Sequence, residues 1–234
     1  MVRLRVVVYN VHGFRSGVAD VAGVVRALEP DLLLLNETGG RLALRRLSRA
    51  LRMELARDPW SPLRRRIKNA VLARPPWRIV GHRLHRFGDV RRPLNPRGAL
   101  VAHLGRSGRR LWVLAIHLGL HPLERLHAAE ELADLARGLD GPILIGGDCN
   151  ELPDGRAVSF LADRFWDVWP SQGGETFPAD DPSSRIDYLF VSEELRVERV
   201  EVPRGEDVRS ASDHLPLAAD LAVAEPGDGA RGSR

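Results

Sequence analysis

Four apolar runs that each stop on a polar side chain set the terms for what this chain folds into. Val6-Val7-Val8-Tyr9 ends on Asn10, Leu32-Leu33-Leu34-Leu35 on Asn36 and Glu37, and Leu111–Ile116 on His117. Ile143-Leu144-Ile145-Gly146-Gly147 ends on Asp148, with Asn150 two residues further on. Continuous runs of this kind read as strands covered on both faces, and so as the centre of an α/β architecture. A strand end fixes the direction of its side chain while staying open to solvent, so each polar stop marks a place where chemistry rather than packing chose the residue. Two further sets join them: Arg185-Ile186-Asp187-Tyr188 opens a strand, and Ser212-Asp213-His214 precedes another.

The connections give the fold class. Leu4–Tyr9, a helically spaced Val18–Leu28 with Pro30 beyond it, and Asp31–Leu35 make a β-α-β opening, which implies two parallel strands in one sheet. Strands are expected at 70–72, 77–84, 99–104 and 111–116, the last two joined by the turn Gly105-Arg-Ser-Gly108, so antiparallel hairpins follow. A helix over 123–139, a strand at 142–145, a short helix near 156–163 and strands at 186–191, 195–202 and 215–223 complete the pattern. Mixed pairing with covering helices predicts an α/β sandwich of two mixed sheets. Arg41–Arg57 repeats leucine and alanine at helical intervals among six arginines and is expected to be one surface helix with a buried stripe and a solvated charge face. Trp166 and Trp169 read as a helix or turn edge packed on the sheet.

At 234 residues the chain can bury a full core. No repeat or linker divides it, so residues 1–224 are expected to form one domain and the polar, Gly-rich 225–234 a disordered tail. Apolar runs far short of ~20 residues exclude a membrane-spanning helix. The amino terminus lacks the long apolar stretch of a signal peptide, which places the protein in the cytoplasm. Cys149, the one cysteine, excludes an internal disulfide and a multi-cysteine metal site, and reads as a buried, inert thiol. The formal net charge is +4, and of the 35 basic residues only Lys68 is lysine. That balance favours phosphate-rich partners, although an arginine bias carried on solvated helix faces would produce the same numbers.

Carboxylates at 37, 148, 187 and 213, amides at 10 and 150 and imidazoles at 117 and 214 form an oxygen-rich inventory. It suits a hard divalent ion, Mg²⁺ or Mn²⁺, rather than zinc. A phosphodiester resists attack because its oxygens are anionic, so its hydrolysis needs charge neutralisation, an activated water and a stabilised leaving oxygen. Asn10 and Glu37 can hold the ion, His214 beside Asp187 can act as an oriented base, and His117 and Asn150 can donate to phosphate oxygens.

Tyr9-Asn10-Val-His-Gly13, Asn36-Glu37, Asn69-Ala-Val-Leu-Ala-Arg74, Ile116-His117-Leu118, Gly147-Asp148-Cys-Asn150, Arg185-Ile-Asp187-Tyr188 and Ser212-Asp213-His214 occur in that order across residues 4–223. In this the chain resembles the endonuclease/exonuclease/phosphatase superfamily of metal-dependent phosphohydrolases, on its deoxyribonuclease-like and sphingomyelinase-like side. The resemblance implies a four-layer α/β sandwich with its site where the loop ends of the two sheets meet. It further implies that Asn10 and Glu37 bind the metal with Asp213 in or near its shell. Asp148 and Asn150 would position water and phosphate, His214 paired with Asp187 would be the base, and His117 would contact the scissile phosphate. Whether Asp148 or His214 takes the proton stays open.

Arg97 before the strand at 99 resembles an arginine that clamps phosphate in many members. His12 lies close enough to Asn10 to touch substrate, and Phe177 follows Thr176 on a loop that would border the pocket, either stacking on a base or anchoring the loop. His82, His85, His103, His121 and His127 match no motif and read as surface or satisfied histidines. The family usually has glutamine where this chain has Asn36, one methylene shorter, which puts a supporting hydrogen bond in question. His117 separates the chain from the abasic-site endonucleases. The resulting expectation is a phosphodiesterase acting on DNA or RNA; a phospholipid head-group or small phosphoester hydrolase, and a catalytically silent nucleic-acid-binding protein, are the alternatives.

Overall fold

In a computed structural model, residues 1–59, 65–88, 96–169 and 172–223 are described; the expected disordered tail at 225–234 lies outside them. The elements run β1 (Val2–Asn10), a 3-10 turn (His12–Phe14), α1 (Val18–Leu28), β2 (Leu32–Asn36), α2 (Arg41–Leu51), β3 (Glu54–Arg57), β4 (Ala70–Ala73), β5 (Arg78–Arg86), β6 (Gly98–Arg106), β7 (Arg109–His117) and α3 (Pro122–Arg137). β8 (Ile143–Asp148), α4 (Arg156–Ala162), β9 (Trp166–Asp167), β10 (Asp187–Val191), β11 (Leu195–Glu201), α5 (Glu206–Ala211) and β12 (Leu217–Val223) follow.

Two six-stranded mixed sheets result, ordered β11-β12-β1-β2-β4-β3 and β5-β6-β7-β8-β10-β9. Each has one parallel pair at its centre, β1 with β2 and β7 with β8, and antiparallel neighbours outside it. The parallel pairs are the two places where a helix, α1 or α3, makes the crossover, as two parallel strands require.

Strand alternation sorts the core into layers. Val6, Val8, Leu32 and Leu34 of one sheet meet Leu100, Val113, Leu144 and Leu189 of the other in the space between them. Their neighbours Val7, Tyr9, Leu33 and Leu35 face outward under α1 and α2, and Leu114, Ile116, Ile145 and Phe190 face outward under α3 and α4. The architecture is therefore a four-layer α/β sandwich. No helix among the described residues is long and apolar enough to cross a membrane.

The helix expected over Arg41–Arg57 is corrected: α2 closes at Leu51, with Arg52 left-handed at φ 54°, and the chain turns back as β3 on the edge of the first sheet. Leucine and alanine fit both periods, so the sequence carried no stop signal there. The Trp166–Trp169 segment is likewise not helical; Trp166 and Asp167 pair with β10. The β6–β7 hairpin is tighter than expected, Ser107 and Gly108 alone forming the loop at φ 49° and 78°, a two-residue turn with both central φ positive.

Two glycines let the layers close. A Cβ on Gly146 would stand 2.8 Å from Val8 Cγ2 and 3.1 Å from Leu34 and Leu189 side chains. On Gly147, at φ +153°, it would stand 1.9 Å from the Ile116 carbonyl oxygen. Any side chain there would prise apart β7 and β8, or the two sheets, just below Asp148.

Candidate active site

The topology carries all the polar stops to one end of both sheets. Asn10 and Asn36 are register partners at the ends of the parallel strands β1 and β2. His117 and Asp148 are partners at the ends of β7 and β8, and Asp187, opening the antiparallel β10, faces Asp148. Asp213 and His214 precede β12, which runs antiparallel to β1, so they arrive at the same end.

Asp148 Oδ2 is the hub. It accepts from Asn10 Nδ2 at 3.0 Å and lies 3.3 Å from His117 Nε2 and 3.9 Å from His214 Nε2. Its Oδ1 accepts from the Asn150 backbone N–H at 2.8 Å, and Asn150, left-handed at φ 50°, also donates from Nδ2 to the Leu118 carbonyl. His214 Nδ1 lies 2.7 Å from Asp187 Oδ2, which accepts from Thr176 Oγ1 at the same distance. Phe177 packs on the His214 ring with centroids 4.9 Å apart. Asp148, Asp187, His117 and His214 are all buried.

Burial opposes charge at both ends of this relay, and the neighbours outweigh it. For His214, desolvation lowers the pKa, yet the Asp187 carboxylate, with Asp148 and Asp213 behind it, pushes it up to about 9. For Asp148, burial raises the pKa but His117, then His214 and the Asn150 N–H hold the carboxyl well below the usual range. At neutral pH the pair is imidazolium and carboxylate. Burial raises the Cys149 thiol, with the carboxylates of Asp148 and Asp187 adding to it, which keeps it protonated and inert.

Donors for a cation are present in two settings. Asp148, Asp187 and His214 offer ligand atoms within 4.8 Å of one another, close enough to hold a metal ion. Glu37 is the other: half-buried, left-handed at φ 52°, its carboxylate has no hydrogen-bond or ion-pair partner among the described residues. Its backbone oxygen accepts from Gly13 and Gly39, which ties the β2–α2 loop to the loop after Asn10. A strained, unpartnered carboxylate beside an amide and a set of oxygen donors fits a hard divalent cation. Glu37 also lines a cavity of about 590 Å³ with Arg65, Arg66, Lys68, Arg97 and His117.

The structure brings Asn10, His117, Asp148, Asn150, Asp187 and His214 into one bonded cluster. Arg97 adjoins it, Nη1 lying 2.6 Å from His117 Nδ1 and 2.7 Å from Nε2. His12 and Asp213 pair at the mouth, Nδ1 to Oδ2 at 3.2 Å, and Asn10 Oδ1 accepts from the His12 N–H. Glu37 reaches the group through main-chain bonds rather than through its side chain. His85 pairs with Glu131 and His121 accepts from Leu123 N–H at the start of α3, so these two are satisfied outside the site; His103 stacks on Trp112, away from the cluster, with its Nε2 buried and unbonded.

Four further side chains support the cluster. Asn36 donates to Ile116 O at 2.7 Å and to Asn69 Oδ1, and accepts from Asp148 N–H at 2.9 Å; the shorter side chain thus makes its supporting bonds. Asn69 donates to Gly98 and Ala115 carbonyls. Thr176 orients Asp187, and Ser212 Oγ donates to Asn10 O at 2.8 Å. Asn36 and Asn69 are polar residues at strand ends, the same signal that marked the others, whereas Thr176 lies in a loop and Ser212 caps α5.

The family model of the Endonuclease/Exonuclease/phosphatase family matches residues 7–214. A search of curated proteins finds no match. Among solved structures, an endonuclease/exonuclease/phosphatase from Bacteroides vulgatus superposes with a TM-score of 0.81 at 16% identity, over 95% of this chain and 100% of that one. A mannosyl-6-phosphatase from Bacteroides thetaiotaomicron gives 0.76 at 20% identity, over 94% and 99%. The human Nocturnin catalytic domain with bound sulfate gives 0.71 at 19%, over 95% of each chain. These likenesses share the sandwich described above, and the match over 7–214 spans every residue of the cluster: the chain belongs to the endonuclease/exonuclease/phosphatase family.

Proposed function

We propose that this protein is a divalent-metal-dependent phosphodiesterase that hydrolyses its substrate by attack of water, with nucleic acid as the favoured substrate. The observation that carries the reading is the adjacency of an ionised, fully bonded Asp148 to a cation-lined cavity containing the unpartnered Glu37.

Asn10 and Glu37 would hold the cation, Mg²⁺ or Mn²⁺ by the oxygen character of the donors, with Asp213 beside them. When bound, it neutralises phosphoryl charge and lowers the pKa of a coordinated water. Asp148 Oδ2, already facing three donors, aims the attacking water and accepts its proton. Asn150, locked by its left-handed backbone and the Leu118 carbonyl, keeps one amide N–H for a phosphate oxygen. His214 enters as an imidazolium steadied by Asp187 and Thr176 and donates from Nε2 to the developing phosphorane charge. His117 and Arg97 supply further donors to the scissile phosphate, and His12 and Phe177 border the substrate.

A small phosphoester or phospholipid head-group is the second reading, favoured by the likeness to the Bacteroides mannosyl-6-phosphatase. Cleavage of plasmid and single-stranded oligonucleotides, run beside choline release from sphingomyelin and phosphate release from sugar phosphates in Mg²⁺ and Mn²⁺, separates them. Metal-dependent, EDTA-sensitive cleavage of the oligonucleotides is expected. Turnover of the monoesters alone would assign the second reading, and turnover of nothing would leave a silent binding protein.

A further inference from the structure

Several arginines of this chain pair with a carboxylate. Arg5 pairs with Asp220 and Glu201, Arg78 with Glu54, Arg125 with Glu151, Arg185 with Asp167 and Arg204 with Glu175. Helix α2 carries no such pair, and it gathers its arginines in one short segment. Its sequence, Arg-Leu-Ala-Leu-Arg-Arg-Leu-Ser-Arg-Ala-Leu, contains no acid, and none of Arg41, Arg45, Arg46, Arg49 or Arg52 pairs with a carboxylate among the described residues.

Arg41, Arg45 and Arg49 are spaced by four residues, which puts them on one face, and Arg52 follows at the left-handed residue that ends the helix. Leu44, Leu47 and Leu51 occupy the opposite face and are buried against the first sheet. The arrangement works against the helix: like charges four apart repel, and Arg41 places a cation in the first turn, at the positive end of the helix dipole.

The near end of this row is more crowded still. Arg57, from the edge strand β3, and Arg66 adjoin Arg41 and Arg45. Burial and then the three other guanidinium groups lower the Arg57 pKa, with no acid among the contributors. Arg57 Nη1 and Arg66 Nε are buried without a hydrogen-bond acceptor. The carboxylate that adjoins them, Asp58, stands 3.8 Å from Arg66 Nε and has its own pKa raised by burial. A guanidinium nitrogen left without an acceptor is a donor that a phosphate oxygen satisfies.

The group also connects to the cavity beside the cluster. Arg66 donates from Nη1 to Gly39 O at 2.7 Å and from Nη2 to Thr38 Oγ1, and it lines the cavity with Glu37 and Lys68. Lys68, left-handed at φ 59°, has no side-chain partner among the described residues.

From these observations we infer that the arginine face of α2, with Arg57 and Arg66 at its near end, is a binding track for the sugar-phosphate backbone of a nucleic-acid strand whose scissile phosphate lies at Asp148. The inference rests on the proposed phosphodiesterase reading and extends it to the flanking nucleotides. From Arg41 to Leu51 the helix rises about 15 Å, the length of about four phosphates of a stacked strand. A membrane surface fits less well, because the apolar stripe that such a helix would insert is already buried under the sheet.

The test uses the whole protein and the pair R45E/R49E, both exposed positions outside the cluster, with R45K/R49K as the charge-keeping control. Binding of fluorescent 20-nucleotide DNA and RNA strands is followed by anisotropy at several salt concentrations. Hydrolysis of bis(p-nitrophenyl) phosphate, too small to reach α2, is followed in parallel. We expect R45E/R49E to bind both strands at least ten-fold more weakly and to flatten the slope of log K against log salt by about 1.4, two phosphate contacts at about 0.7 each. R45K/R49K keeps the binding, and neither pair alters turnover of the small diester. Strand binding unchanged in R45E/R49E, or tighter retention of the wild type on phosphatidylglycerol vesicles than on either strand, overturns the inference while leaving the enzyme assignment intact. Strand binding that depends on the two arginines, in a wild type that hydrolyses no diester in Mg²⁺ or Mn²⁺, would instead sink the enzyme assignment and leave the track standing.

Discussion

Asn36 Nδ2 donates to Asn69 Oδ1 at 3.0 Å, and through this contact two amides of one sheet hold the other. Asn36 reaches Ile116 O and Asp148 N–H, Asn69 reaches Gly98 O and Ala115 O, and both side chains are buried. The floor of the site is thus a polar seam between two layers whose shared core is apolar. It fixes the height of Asp148 relative to Asn10, whose two elements belong to different sheets.

Because every polar atom in that seam is matched, removing one amide strands several. Asn36→Ala leaves the Asp148 N–H, the Ile116 carbonyl and Asn69 Oδ1 without a partner, and is expected to destabilise the protein by about 3 kcal/mol. Urea unfolding measures it; a loss under about 1 kcal/mol would mean that the seam is not a structural tie.

The His214 pKa, raised from 6.5 to about 9 by Asp187 against the effect of burial, makes a signed prediction. The folded state holds this proton more tightly than the unfolded chain. Its stabilisation is therefore fully present below pH 6.5 and is lost as pH rises through about 9, an amount of about 3 kcal/mol. The urea midpoint of the metal-free protein should fall between pH 6.5 and 9.5, and Asp187→Asn should flatten that fall. An equal fall in the variant would show that another group titrates.

Gly147→Ala places a methyl group where the Ile116 carbonyl oxygen already is, on a backbone at φ +153°. No rotamer relieves a Cβ contact. The expected outcome is a loss of at least about 3 kcal/mol or failure to accumulate folded protein, read by thermal melting. Wild-type stability in the variant would mean that β7 and β8 are further apart at Asp148 than described.

Glu37 makes no other bond with its carboxylate, so its replacement should change ligand binding more than folding. At a hundredfold excess over Kd, Mn²⁺ is expected to raise the melting temperature of the wild type by roughly 5–10 °C. Glu37→Ala should melt near the metal-free wild type and show little response to Mn²⁺. The same rise in both proteins would move the ion to the Asp148, Asp187 and His214 group.

Legibility in the sequence followed the strength of local signals. β1, β2, β7 and β8 were readable because a doubly covered strand is an unbroken apolar run, and their ends pointed to Asn10, Glu37, His117 and Asp148. β3 was not, since four residues on an edge, with Ala56 alone fully buried, carry no pattern distinct from the helix before them. α5, a single short turn of helix over Glu206–Ala211, had too few residues to show a period. Asn36 and Asn69 were visible as polar residues bordering apolar runs, but their partners lie on strands distant in sequence, and only the closing of the two sheets reveals them. The arginines of α2 could be counted but not interpreted, because pairing with a carboxylate is a property of the folded surface.

The most direct test of the whole account is turnover of a phosphodiester by two variants that touch its opposite ends. Wild type, Glu37→Ala and His214→Ala are assayed on bis(p-nitrophenyl) phosphate in Mg²⁺ and Mn²⁺, with circular dichroism to show that each remains folded. Metal-dependent hydrolysis by the wild type and a fall of at least about a hundredfold in both variants is the predicted result. Hydrolysis retained at the wild-type rate in both folded variants would contradict it.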